Sequence, residues 1–182
     1  MASKPTGSLS VQKVLRSVLL SGLDAIGYNG WTVIEFGNPE FINYDKCLTM
    51  QLLRQKRVGW QGFGYGYSPQ FVGLSRKDKW LTEYQYQVQV LLKRPRNATA
   101  ETLTAEDVAD TMIAWLNGPG VSEFRKYGVA PLRIDGASVF VYNDNSDLYQ
   151  KRAVFTVKIQ VPKELTVGEN VMDQIIPDIK PV

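Results

Sequence analysis

The sequence contains no histidine and a single cysteine among its 182 residues. Without histidine, a Ser-His-Asp or Cys-His nucleophile, a histidine general base and a histidine-ligated zinc are all excluded. An enzyme would be left with lysine, tyrosine or paired carboxylates, and no residue here is marked for such work. The chain is therefore read as a non-enzyme, with no catalytic, metal or cofactor-binding residue expected. Cys47 alone can form neither an internal disulfide nor a cysteine-rich metal site; it reads as a small buried apolar residue and implies a reducing compartment. Long apolar runs are missing too. Val11 to Ile26 is interrupted by Lys13, Arg16 and Asp24, short of the roughly 20 apolar residues a membrane span needs. The first residues hold no apolar segment, so no secretory signal is expected, and the Asn97-Ala98-Thr99 acceptor match carries no meaning without export.

Charge of one sign is also scarce: 21 Lys+Arg stand against 18 Asp+Glu, a net +3. Such a balance does not demand a nucleic-acid partner, which usually shows as a clear basic excess. The carboxylates are scattered. Glu106, Asp107 and Asp110 fall at the start of an expected helix, where negative charge suits the macrodipole. Asp144 and Asp147 lack the spacing and the distal glutamate of a calcium loop.

What is present reads as one α+β domain, with a mainly antiparallel sheet, two helices packed on one face and a long C-terminal β-hairpin. Residues 1–9 form a polar, flexible arm, 10–161 the domain, and 162–182 an apolar tail that packs on the domain or on a neighbour. Val11, Val14, Leu15, Val18 and Leu19 make one helical stripe, with a stop at Gly22 or Gly27. Strands are expected at 31–36 and 46–58. In a second helix Thr104 caps with Asp107, and Val108, Ala109, Met112, Ile113 and Leu116 form the buried stripe. A short helical turn from Ser122 to Tyr127 stops at Gly128 in the left-handed position. Strands 132–142 and 152–161 form the hairpin, closed by Pro162.

Two features stand apart. Between Gly59 and Pro69, glycines and aromatics nearly alternate; this reads as an adaptive loop whose Trp60, Phe63, Tyr65 and Tyr67 find partners on assembly. It is not a phosphate cradle, because no Lys and Ser/Thr follow the glycines and no helix opens after them. From Trp80 to Leu91 the chain alternates strictly, with Gln85, Gln87 and Gln89 on the polar side. An uncharged glutamine face suits contact with another chain, so the sheet face away from the helices is expected to be exposed or covered by a second protein. Arg54, Lys56 and Arg57 beside Trp60, Phe63 and Tyr65 also permit a nucleic-acid-binding module, or simply a guarded sheet edge.

The second half of the chain carries a resemblance. Phe124-Arg125-Lys126-Tyr127-Gly128-Val129-Ala130, followed by a strand, a polar turn and Tyr149-Gln150-Lys151-Arg152-Ala153-Val154-Phe155-Thr156-Val157-Lys158-Ile159-Gln160-Val161, resembles the neck or tail terminator proteins of tailed bacteriophages. The likeness spans about residues 84–161; the glycine–aromatic stretch and the apolar tail lie outside it. It implies a virion protein, assembled in the host cytoplasm, that forms a ring of six copies at the head–tail junction, ends tail-tube growth and joins the tail to the head connector. Its partners would be further copies of itself, the tail-tube protein and the head-connector or neck protein, with no membrane. DNA would pass through the lumen non-specifically, with Arg54, Lys56 and Lys93 facing it. A tail-tube or head-completion subunit is the neighbouring alternative. Ile175 and Ile176 of the tail join the aromatics and glutamines as subunit-interface residues.

Overall fold

A computed structural model describes residues 8–35, 44–68, 73–93, 99, 102–143 and 149–168. The apolar stripe near the start folds as helix α1 (Ser8–Ala25). Its Val11, Leu15, Val18, Leu19 and Leu23 are buried. Gly27 ends it at φ +83, with Tyr28 N–H bonded to Leu23 O at 2.8 Å and Gly27 N–H to Asp24 O at 3.1 Å. That pair of bonds satisfies two of the carbonyls a helix end leaves open, and the left-handed turn explains the glycine.

Strand β1 (Thr32–Glu35) then pairs in parallel with the start of β2 (Lys46–Ser68), Thr32 opposite Cys47 and Glu35 opposite Met50. Next come β3 (Gly73–Leu92), helix α2 (Ala105–Asn117), helix α3 (Gly120–Lys126), the two-residue β4 (Ala130–Pro131), β5 (Ser138–Asn143) and β6 (Tyr149–Gly168). The sheet order is β1-β2-β3-β6-β4, with β5 also paired to β6. The fold is α+β around a mainly antiparallel, mixed sheet, as the sequence indicates. The C-terminal hairpin is present too: β5 and β6 are antiparallel, from Ser138 opposite Val154 to Asn143 opposite Tyr149.

Helix α2 begins as its sequence requires. Thr104 accepts from Asp107 N–H at 3.2 Å, and Asp107 Oδ2 accepts from Thr104 N–H at 2.9 Å, a reciprocal cap. Val108, Ala109, Met112, Ile113 and Leu116 are all buried. The Thr104 hydroxyl, which also donates to Asp107, holds that carboxyl below its ordinary range. Thr104→Ala is expected to lower stability by about 1 kcal/mol in urea unfolding. Because the folded-state carboxyl titrates lower than the unfolded one, the Asp107 contribution is present above the ordinary carboxylate range and is lost as pH falls through the lowered value. Thr104→Ala therefore also flattens the acid limb of the stability profile.

At the other end of α2, Asn117 Nδ2 donates to Ile134 O at 2.8 Å and its Oδ1 accepts from Ile134 N–H at 2.9 Å. One side chain thus satisfies both backbone groups of buried Ile134 in the irregular stretch between β4 and β5. Gly128, at φ +67, stops α3 as expected.

Contacts divide the chain into two compact units, Met1–Lys56 with Thr82–Val161, and Arg57–Leu81 with Pro162–Val182. The first unit holds the main core. Leu48 and Met50 of β2, Tyr84, Tyr86, Val88 and Val90 of β3, and Ala153, Phe155, Val157, Ile159 and Val161 of β6 pack with the helical residues. Within the second unit, Arg57 lies 4.7 Å from the centroid of the Trp80 ring, and Lys77 and Lys79 approach Glu164 at 3.9 and 3.7 Å.

Three expectations are corrected. First, 59–68 is strand rather than an adaptive loop, so β2 does not end at Val58. Phe63, Tyr65 and Tyr67 recur at every second position, the period of a strand, and aromatic β-preference outweighs the intervening glycines. Gly59, at φ +79, marks a bend in the strand rather than its end. Second, Pro162 does not close β6, which runs on to Gly168. β4 pairs with β6 only at Ile159 and Gln160, so beyond them β6 has no described neighbour on that side. A proline without an N–H is tolerated at such an edge. Third, 132–142 is not one strand: 132–137 is irregular, held by Asn117 and by Leu132 N–H on Lys158 O. On the sheet face away from the helices, Ile34, Cys47, Thr49, Gln89 and Val154 are buried, Gln85, Gln87, Thr156 and Gln160 are half-buried, and Gln51 and Lys158 are exposed.

Candidate assembly surface

The residues expected to meet other chains fall in different places. Trp60, Phe63 and Tyr67 lie on β2, and Tyr65 on the same strand is exposed. Gln85 and Gln87 on β3 are half-buried, and Gln89 is only 9% exposed. Ile175 and Ile176 lie outside the described residues. Further apolar side chains are open to solvent: Leu52 and Leu53 on β2, and Val139 and Phe140 on β5. The β5 pair was not among the residues expected at an interface. The signal was there, since six consecutive residues, Ser138–Asn143, carry no charge.

The three basic residues expected to face a lumen do not form one cluster. Arg54 is exposed. Lys56 Nζ stands 3.1 Å from Glu83 Oε1, and the Glu83 side chain is 9% exposed. A carboxylate that covered requires a partner, so Lys56 has structural work as the counter-charge. Lys93, at the end of β3, pairs with Asp45 beside the start of β2 at 3.4 Å. Both partners are exposed, and such a pair adds little to stability.

Cys47 is fully buried, as its isolation in the sequence suggests. Burial pushes its thiol up from 9.0 to about 11, with Arg152 opposing the shift. The thiol is thus protonated and unreactive at neutral pH. Alkylation by iodoacetamide is expected to follow global unfolding rather than thiolate formation in the native state. Since the folded thiol titrates above the unfolded one, stability is complete below pH 9.0 and falls as pH rises towards about 11. Cys47→Ala removes that slope, which denaturant titrations across this range measure. Burial likewise raises the Tyr84 and Tyr86 hydroxyls, and for Tyr86 the neighbouring Tyr84 and Glu35 add to the effect.

Among the described residues there is no group of three or more His, Cys, Asp or Glu placed to hold a metal ion. Nor is any described helix long and apolar enough to cross a membrane. What the geometry offers is surface for protein contact: exposed aromatic and aliphatic side chains on strands.

Comparison with known proteins agrees with that character. No curated protein matches the chain. A protein family described as E217 gateway protein gp29 matches residues 10–168, from α1 to the last residue of β6. This is a family of phage head–tail gateway proteins, structural parts of the virion, and it fits the neck and terminator resemblance. The match covers most of the chain, which therefore belongs to the family of the E217 gateway protein gp29.

Proposed function

We propose that the chain is the subunit of a six-copy ring at the phage head–tail junction, which ends tail-tube growth and joins the tail to the head connector. The family match over residues 10–168 carries this reading. Its partners are copies of itself, the tail-tube protein and the head-connector protein. Trp60, Phe63, Tyr65, Tyr67, Gln85, Gln87, Gln89, Ile175 and Ile176 contribute to subunit and partner contacts, and residues 162–182 pack on the domain or on a neighbour. Arg54, Lys56 and Lys93 border the channel through which DNA passes without being read. A closed ring needs heterologous contacts, in which one patch of each copy meets a different patch of the next. Exposed apolar side chains on several strands supply such patches. A nucleic-acid-binding module is the weaker reading, because Glu83 engages Lys56 and Trp80 engages Arg57.

Light scattering of the purified protein, alone and mixed with its tube or connector partner, tests the proposal. A mass of six chains in either condition supports it. A strict monomer that binds neither partner overturns it.

A further inference from the structure

Two edges of the sheet are open, one beyond β1 and one along β5. β1 ends at Glu35, opposite Met50, so past Met50 no described strand lies on that side of β2. There the residues from Gln51 to Gln55 are exposed without a break. β5 pairs with β6 on one side, and no described strand lies on its other side. An edge without a neighbour turns the N–H and C=O of every second residue outward, a template for a further strand. β1 itself is guarded, since Arg16 Nε donates to Val33 O at 3.0 Å. Both open edges belong to the first compact unit.

The two edges suit each other in side chains and in charge. Each carries two successive apolar residues, which face opposite sides of the sheet. Leu52 and Leu53 are 39% and 48% exposed, and Val139 and Phe140 are 43% and 48% exposed. Lys46 to Lys56 include three basic residues, Lys46, Arg54 and Lys56, and no acidic one. Glu83 holds Lys56, whereas Lys46 and Arg54 are exposed. β5 has no charge of its own. The sequence from Asp135 to Gln150, which contains it, includes three acidic residues, Asp135, Asp144 and Asp147, and no basic one. A basic edge therefore attracts the acidic one, while two copies of either edge repel each other.

Strand order then decides that the edges meet between copies. β3 and β6 stand between β2 and β5, so the free sides of β2 and β5 point away from each other in one sheet. We propose that the β5 edge of one copy pairs with the Gln51–Gln55 edge of β2 in the next, so that the sheet runs on from subunit to subunit. Leu52 and Leu53 then meet Val139 and Phe140 on both faces of the joint. The pairing rests on the ring reading above and names the two surfaces that join its subunits. Strand addition at an open edge gives main-chain bonds, and joining unlike edges is a heterologous contact, the kind that closes rings.

The test uses the full chain, under the condition in which the unaltered protein assembles. Phe140→Asp and Leu53→Asp, each at an exposed site, are expected to keep the denaturant midpoint of the unaltered chain and to stay monomeric when alone. Mixed, they retain one intact edge each, and light scattering is expected to give a mass of two chains and no more. A second measurement uses two differently tagged batches, one with Leu52→Cys or Leu53→Cys and the other with Val139→Cys or Phe140→Cys. Native Cys47 is buried and gives little background. After mixing, assembly and mild oxidation, a denaturing gel is expected to show a band of two chain masses bearing both tags. That band is absent when Asp110→Cys, at an exposed site on α2, replaces the β5 cysteine. Native rings with neither the two-chain mixture nor a two-tag band in any combination overturn the edge pairing and leave the ring reading standing. A band stronger within the β5-cysteine batch than between batches places β5 on β5 and also overturns it. An unaltered chain that stays monomeric with partners present overturns the ring reading and the pairing together.

Discussion

Phe124→Ala is expected to lower the stability of the chain by about 3–5 kcal/mol, read as a lower denaturant midpoint with an unchanged slope. Phe124 is fully buried on α3 and belongs to the main core with Leu15, Leu19, Met112 and Phe155. Its backbone carbonyl also accepts from Tyr127 N–H at 3.1 Å and Val129 N–H at 3.4 Å, the bonds that turn the chain out of α3. Removing the ring leaves a cavity under a helix of seven residues. Such a helix has little intrinsic stability and depends on packing to form. Lys126→Ala on the same helix, where an exposed lysine pairs with Glu123 at 2.7 Å, is the control and is expected to change stability by less than about 0.5 kcal/mol. Equal effects from the two variants would show that α3 is not part of the cooperative core.

Gly120→Ala is expected to cost about 1–3 kcal/mol, although alanine ordinarily favours a helix. A Cβ at Gly120 would lie 2.7 Å from Trp115 Cζ3, 2.8 Å from Cε3 and 3.0 Å from the Trp115 carbonyl oxygen. The same ring faces α1, where a Cβ at Gly22 would come 2.8 Å from Trp115 Cε3 and 2.9 Å from Met112 Sδ. Two glycines thus make room for one indole, and the ring cannot retreat from one without pressing on the other. A double-mutant cycle checks this cause: in a Trp115→Leu background the cost of Gly120→Ala should shrink to what the carbonyl contact alone imposes. An undiminished cost would place the strain in the backbone and reject the role of the ring.

Local chemistry was legible in the sequence where its partners lie within a few residues. The Thr104 and Asp107 cap, the α2 stripe, the α1 stripe and the Gly27 and Gly128 stops are all decided within one or two helical turns. The strict alternation of Tyr84 to Val90 announced a strand with equal clarity. The outer part of β2 was misread because the alternation of glycines with Phe63, Tyr65 and Tyr67 was weighed as a loop former's signature rather than as the period of a strand. Pro162 was misread for a different reason: whether a proline ends a strand depends on whether a neighbour needs its missing N–H, and sheet order is a tertiary fact. Trp115 between two glycines belongs to the same class, since Gly22 and Trp115 meet only after the helices pack. On the candidate surface, the exposure of Tyr65 agreed with its aromatic setting. The covering of Gln89 and the pairing of Lys56 with Glu83 depend on strands that the sequence does not register against one another.

The order β1-β2-β3-β6-β4 also sets a timetable for folding. β1 and β2 join residues only fifteen apart, Thr32 with Cys47, so their contact can close early. β3 must instead wait for β6, which follows two helices and two strands in the chain. Loop-closure entropy is met before that pairing returns any stability, which makes the middle of the sheet the slow step. On the ribosome, β3 emerges with one side unfilled while the residues that will cover it are still untranslated. The strict alternation of its buried tyrosines and valines with glutamines keeps a single register available until β6 arrives.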